Sequence, residues 1–127
     1  MTRKQAQKCP CGGPSYAACC ESIHHGTSAA SAETLMRSRY SAYVMKLEDY
    51  LLATWHPDTR PTTLDLADDG SKWLGLEVKR HEESADTAIV EFVARYKIAG
   101  RAHRLHEISR FVHENERWFY VDGIFPA

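Results

Sequence analysis

Thr87-Ala88-Ile89-Val90-Glu91-Phe92-Val93-Ala94-Arg95-Tyr96-Lys97-Ile98 alternates between two sets of side chains. Val90, Phe92, Ala94, Tyr96 and Ile98 fall on one side; Ile89, Glu91, Val93, Arg95 and Lys97 fall on the other. A period of two with one apolar side is the pattern of a strand that covers a core on one face. Upstream, Glu83-Ser84-Ala85-Asp86 reads as a turn, and Trp73 to Glu82 as a strand with Leu74, Leu76 and Val78 on one face. Downstream, Gly100-Arg101 turns the chain into a strand from His103 to His113. There Leu105, Glu107, Ser109 and Phe111 alternate with His106, Ile108, Arg110 and Val112. Glu114-Asn115-Glu116 turns again, and Trp118 to Val121 is the last strand, ended by Asp122-Gly123.

The half of the chain before Gly70 has a different period. Met36, Tyr40, Tyr43, Val44 and Leu47 recur at helical offsets, with Ser31 as N-cap and Glu33 in the first turn; this predicts a helix over 32–46. Arg37, Arg39 and Ser41 fall on or near its other faces. Leu47, Leu51, Leu52 and Trp55 predict a second helix over 47–55, which Pro57 stops. His56, directly before that proline, is driven towards an extended conformation. Thr63 to Ala67 predicts one helical turn ending near Gly70. Helices followed by strands joined through short turns indicate an α+β fold, an antiparallel meander covered on one face by helices.

The totals narrow the function classes. The chain has 127 residues with 43% hydrophobic and 26% charged side chains and a formal net charge of -1. That is a folded composition with no global reason to bind nucleic acid or an anionic membrane. No apolar run approaches the about 18 residues of a membrane span. Met1 to Lys8 lacks the apolar stretch of a secretory signal, so a cytoplasmic location is expected.

All four cysteines lie in Cys9-Pro10-Cys11-Gly12-Gly13-Pro14-Ser15-Tyr16-Ala17-Ala18-Cys19-Cys20. Two thiol pairs facing each other across a turn can give four sulfurs to one tetrahedral ion, and Zn²⁺ is the expected cofactor. Cys9, Cys11, Cys19 and Cys20 are the first choice of ligands, with His24 or His25 as an alternative to Cys20. A segment this poor in apolar side chains needs such a staple to fold. Four thiolates close the coordination sphere and leave no position for substrate, so the zinc is expected to be structural.

This segment resembles the SEC-C motif, the small zinc-binding module at the end of bacterial SecA and in many other proteins. Cys9-Pro10-Cys11-Gly12 and Tyr16-Ala17-Ala18-Cys19-Cys20 carry the likeness. The loop between them is one residue shorter than usual and lacks the basic residues common there. The rest of the chain resembles the bacterial YchJ-like family. The likeness rests on Leu35-Met36-Arg37-Ser38-Arg39-Tyr40-Ser41-Ala42-Tyr43, Tyr50-Leu51-Leu52-Ala53-Thr54-Trp55-His56-Pro57, Val90-Glu91-Phe92-Val93-Ala94-Arg95-Tyr96 and Trp118-Phe119-Tyr120-Val121-Asp122-Gly123. The resemblance implies a zinc module and linker over 1–30, followed over 31–127 by an NTF2-like domain, a cone of helices packed on a curved antiparallel sheet.

Domains of this kind often hold a cavity between helices and sheet. Arg37, Tyr40, Trp55, His56, Glu107 and Arg110 are the main candidates to line it, with Tyr43 and His106 behind them. His106 and Glu107 are strand neighbours and point to opposite faces, so they cannot share one cavity. The expectation is an adaptor-like zinc protein that binds a protein partner or a small ligand, with no catalytic residue assigned. The alternative is a small-molecule enzyme using the cavity for acid–base chemistry. An ionisable pair beside an empty cavity favours the enzyme; a cavity filled by Tyr, Trp and Phe side chains, with no ionisable group inside, excludes it.

Overall fold

The computed structural model describes residues 9–12, 15–17, 19–64 and 72–126. Its elements run α1 (Glu21–His24), α2 (Ala32–Met45), α3 (Glu48–Ala53), β1 (Lys72–Ser84), β2 (Thr87–Ile98), β3 (Arg101–Glu114) and β4 (Arg117–Ile124). The four strands form one antiparallel sheet in the order β1-β2-β3-β4, and the helices pack on it. The architecture is α+β, as the periodicity predicts. Among the described residues no helix is long and apolar enough to cross a membrane. The N-terminal residues 1–8 and most of the predicted turn near Gly70 lie outside the described residues, and 61–64 form no helix.

Two-residue loops close the hairpins. Ile98 pairs with Arg101, and Glu114 with Arg117. Ala99 and Gly100 in the first loop and Asn115 and Glu116 in the second all have positive φ, the twist that lets two right-twisted strands meet.

The sheet departs from strict alternation at its two outer pairs. A bulge between Trp73 and Gly75 on β1 shifts the face that looks inward. Trp73, Leu76 and Val78 pack against the core, and Leu74 is left 51% exposed. The expectation that Leu74 joins Leu76 and Val78 is corrected by that one extra residue. In the β3–β4 pair, Arg110 faces Asp122 while Phe111 faces Tyr120, so Val121 is the extra residue. Strand β4 therefore continues through Asp122 and Gly123, where the sequence predicts its end.

Helix α2 begins where expected: the Ser31 hydroxyl accepts from the Thr34 N–H at 3.1 Å. It ends at Lys46, which adopts the left-handed conformation with φ 59°. The helix is buried nearly all round. Leu35, Met36 and Tyr40 are buried, and so are Ser38, Arg39 and Ser41. Arg39 is 5% exposed, against the expectation that it sits on an outer face. It belongs to the inner stripe because it stands three residues from Met36 and four from Tyr43. Cys9, Cys11 and Cys20 join Leu35, Met36, Tyr40, Val90, Phe92 and Phe111 in one continuous core. The cysteine segment and α3 thus cover the sides of α2 that the sheet does not.

Phe111 is 1% exposed in this core. Phe111→Ala is expected to lower unfolding free energy by about 3–5 kcal/mol, read from urea unfolding at unchanged slope.

Candidate functional site

The four thiols converge. The Cys9, Cys11, Cys19 and Cys20 Sγ atoms lie within 4.8 Å of one another. Cys11–Cys19 is 3.4 Å, Cys19–Cys20 is 3.8 Å and Cys11–Cys20 is 3.8 Å. Zn–S bonds of about 2.3 Å give a tetrahedron with edges of about 3.8 Å, so the donor set fits that ion in number, kind and spacing. Gly12 closes the turn that carries the first pair, with φ 101°, and its N–H donates to the Cys9 carbonyl at 3.0 Å. Helix α1 follows immediately and holds Cys20 in place: the His24 N–H donates to the Cys20 carbonyl at 2.9 Å.

Helix α2 supplies a second layer around the thiols. The Ser41 hydroxyl donates to Cys20 Sγ at 3.4 Å and lies 3.5 Å from Cys9 Sγ. Arg37 Nη1 donates to the Cys11 carbonyl at 3.3 Å, while its other nitrogens pair with Glu33. Burial, then the bond to Cys11, pushes the Cys19 thiol up to about 12. The bond to Cys11, then burial, pushes Cys20 up as well, and the Ser41 hydroxyl acts the other way. Clustered thiols in a buried site resist ionisation until a cation joins them.

His24 faces elsewhere. Its Nδ1 meets the Tyr16 hydroxyl at 2.7 Å and its Nε2 meets the Ser38 carbonyl at 2.7 Å. Because a carbonyl only accepts, Nε2 carries the proton and Nδ1 accepts from Tyr16. Both ring nitrogens are engaged in fastening the cysteine segment to α2. His25 is exposed.

On the opposite side of α2 a cavity of about 380 Å³ opens between the helix and the sheet. Met36, Tyr40 and Tyr43 line it from α2, and Trp73, Phe92 and Phe111 from the sheet. Among the described residues, Arg39 and Glu107 are the two side chains of this aromatic enclosure that carry a charge at neutral pH. Arg39 Nη1 donates to the Leu51 carbonyl at 2.8 Å and to Thr54 Oγ1 at 2.6 Å. Its guanidinium carbon lies 4.6 Å from the Tyr120 ring centre and 5.2 Å from that of Trp55. Burial lowers the Arg39 pKa from its usual value.

Glu107 is 8% exposed. Its Oε2 accepts from Ser109 Oγ at 2.7 Å and from the Tyr120 hydroxyl at 3.0 Å. Burial, then the Glu107 charge, raises the Tyr120 pKa and keeps its proton on. The bulge at Val121 brings Gly123 opposite Ser109 on the inner face. A Cβ at Gly123 would overlap the Glu107 carboxylate. One irregular stretch of β4 therefore supplies both a donor and the bare backbone on which the carboxylate rests.

Of the candidates from sequence, Tyr40, Trp55 and Glu107 line this cavity together, and Tyr43 with them. Arg37, His56 and Arg110 do not. Arg37 serves the cysteine loop. His56 Nδ1 accepts from the Asp58 N–H at 3.1 Å, so its Nε2 donates to Glu114 at 3.0 Å. Arg110 forms a two-bonded pair with Asp122, 2.6 Å at each contact. Its strand neighbours explain the exclusion, because Arg110 lies on the face opposite Glu107 and Ser109 by the same alternation that separates His106, bonded to Glu91 at 2.7 Å. Arg39, Ser109, Tyr120 and Gly123 were not foreseen as site residues. Helical spacing from Met36 to Tyr43 could have found Arg39, and alternation on the third strand could have found Ser109. Nothing local in the sequence signals the bulge that places Gly123.

Comparison with known proteins bears on the same regions. The family model described as YchJ, middle NTF2-like domain, matches residues 31–123. A UPF0225 protein of Methylibium petroleiphilum is 58% identical over 118 residues, covering 91% of this chain and 86% of that protein. A UPF0225 protein of Chromobacterium violaceum is 53% identical, with 97% of each chain covered. Among solved structures, a SEC-C motif containing protein from Rhodopseudomonas palustris superposes with a TM-score of 0.79 at 34% identity, covering 97% of this chain and 100% of that one. A SEC-C motif containing protein from Psychrobacter arcticus gives 0.80 at 31% identity, covering 95% and 84%.

Two outcomes test this geometry. Burial lowers the His24 pKa below its ordinary value of 6.5. The unfolded chain then binds more protons than the folded one below pH 6.5, so this contribution to stability is present at higher pH and is lost as pH falls. A ¹⁵N imidazole titration should place the His24 midpoint below 6.5; a midpoint at or above it refutes the buried, doubly bonded ring. Separately, Gly123→Ala should cost about 1–3 kcal/mol by overpacking and shift the Tyr120 ring resonances, whereas an unchanged Tyr120 would show that the carboxylate does not rest on Gly123.

Proposed function

The chain belongs to the YchJ-like family, and from that premise we propose that it is a zinc-stabilised ligand-binding protein. In this reading Cys9, Cys11, Cys19 and Cys20 hold one Zn²⁺ in a closed structural site, residues 1–30 form the module, and 31–127 form the cone. The observation that carries the metal is the convergence of four thiols, spaced close to the corners of a zinc tetrahedron. A closed four-sulfur site supplies folding energy and no open position for chemistry. Its work is to keep the cysteine segment on α2. A reducing, cytoplasmic setting suits four thiols committed to a metal.

Ligand binding belongs to the cone. What supports it is the cavity of about 380 Å³, of the size and aromatic lining typical of small-molecule sites. Trp55, one of its lining residues, also keeps a buried indole N–H without a protein partner among the described residues. The side of the module turned away from α2, with Gly12, Ala17 and His25 exposed, is left for a protein partner in the adaptor reading.

A second reading, acid–base chemistry on a small molecule, is favoured by one observation: a carboxylate and a guanidinium stand beside an open cavity. Glu107 would be the proton acceptor, with Tyr120 and Ser109 orienting it. In the first reading Glu107 only binds.

Metal analysis of the purified protein should return one zinc per chain, and Cys9→Ser with Cys11→Ser should return less than a tenth of that. Structural zinc is worth on the order of 10–16 kcal/mol in finger peptides. Chelation should therefore raise hydrogen exchange over 9–26 and along the Ser38–Ser41 side of α2, with β2 and β3 still protected. Absence of zinc, with all four thiols freely titratable in the folded protein, would remove the metal reading.

A further inference from the structure

We infer that the cavity beneath α2 is a receptor for a small organic ammonium ion with an apolar body, and that Glu107 is its anchor. The inference rests on the ligand-binding reading above and names the class of ligand.

Glu107 is a buried carboxylate with an unbalanced set of partners. Both of its hydrogen bonds, from Ser109 and Tyr120, go to Oε2. Among the described residues no hydrogen bond or ion pair reaches Oε1. Neither donor carries charge. A carboxylate taken out of water needs an opposite charge or a full set of donors. Here the protein provides half of one.

The other charge in the cavity, Arg39, acts on Glu107 through space but does not bond to it, so Oε1 is left unmet. Arg39 stands within no ion-pair distance of Glu107. Its Nη1 is committed to Leu51 and Thr54, and its guanidinium lies over the Tyr120 and Trp55 rings. The Tyr120 side chain stands between the two charges, ring towards Arg39 and hydroxyl on Glu107. Arg39 is held by the fold; Glu107 is held for something else.

Three features orient the carboxylate without neutralising it: the Ser109 hydroxyl, the Tyr120 hydroxyl and the bare Gly123 backbone. Such support keeps a group in one rotamer with one oxygen left over, as a preorganised binding group requires. The walls suit the same ligand. Ring faces carry negative potential and attract a cation, so an ammonium flanked by aromatic side chains and one carboxylate is drawn by rings and carboxylate alike. The apolar remainder of the cavity, with Met36, Phe92 and Leu105, takes the body of the molecule. A neutral or anionic ligand of equal shape leaves Oε1 unmet or is repelled by it.

The test uses three probes of one shape and different charge at pH 7: 2-phenylethylammonium, 2-phenylethanol and 3-phenylpropionate. Each is titrated into the zinc-loaded full chain by calorimetry, with tryptophan indole shifts locating the site. The ammonium should bind at least about tenfold more tightly than the alcohol, since hydrogen bonds to charged groups exceed neutral ones by that order. The propionate should bind weakest. Glu107→Gln, which keeps an acceptor for Ser109 and Tyr120, should bring ammonium and alcohol within about twofold of each other. Equal or tighter binding of the alcohol or the propionate overturns the ammonium inference and leaves a ligand cavity of other chemistry. An ammonium preference that survives Glu107→Gln overturns the anchor. No binding of any probe at millimolar concentration overturns the inference together with the ligand-binding reading. Should Glu107→Gln fail to fold, the wild-type charge series decides the ligand class by itself.

Discussion

Helix α2 is buried on two sides, and the rest of the molecule follows from that. A helix lying on a sheet normally keeps a polar face for water. Here Ser38 and Ser41, on the side away from the sheet, are fully buried. The cover is the cysteine segment, whose few apolar groups are the thiols and Tyr16, together with Tyr50 of α3, whose hydroxyl meets that of Ser38. Polar contacts between segments distant in the chain add to that packing: His24 to the Ser38 carbonyl, Ser41 to Cys20, Arg37 to the Cys11 carbonyl. These contacts satisfy buried groups and set geometry, but each is worth only about 1 kcal/mol net. In the proposed reading most of the holding energy comes from the metal that four converging thiols would bind.

The same helix faces the cavity with Met36, Arg39, Tyr40 and Tyr43. Thiol cluster and cavity are therefore on two sides of one element. Ser41 touches the thiols while its neighbour Tyr40 lines the cavity. Side chains that share a rigid helix share its position, so whatever holds the outer side of α2 also sets the width of the cavity. This is how a closed structural metal site would matter to a binding site that it never touches.

Irregular strand pairing does comparable work on the sheet. Without the extra residue at Val121, Gly123 would point to the outer face and a side-chain-bearing residue would stand beneath Glu107. The bulge reverses that parity and leaves a carboxylate lying on bare backbone. On β1 the bulge after Trp73 brings an indole inward in place of Leu74, where it meets Tyr40 edge-on at 5.7 Å between ring centres. Bulges at the outer strand pairs re-aim side chains towards a site, and the shift after Trp73 and the one at Val121 both contribute to the same cavity.

Periodicity was enough for the class of the fold. The helix after Ser31, the strand Thr87–Ile98 and the inward side of the third strand follow from short-range spacing, because side-chain direction repeats every 3.6 or every two residues. The cysteine pairs with their intervening glycine were legible for the same reason: metal-ligand spacing is a local property of the chain. Tyr40, Trp55 and Glu107 could be named for the cavity, since each shows its inward side in its own element. Tertiary structure alone decided the rest. Whether Arg39 is outside or inside depends on what lies against that face of α2, and there it meets Leu51, Thr54, Trp55 and Tyr120, all from elements later in the chain. Whether Gly123 meets Glu107 depends on the register between two strands, which no residue on either strand announces. Arg37 and Arg110 looked like cavity residues until the fold gave them Glu33, the Cys11 carbonyl and Asp122 as partners. A sequence states which side of its own element a residue takes; which other element lies on that side is a property of packing, and a shared site exists only there.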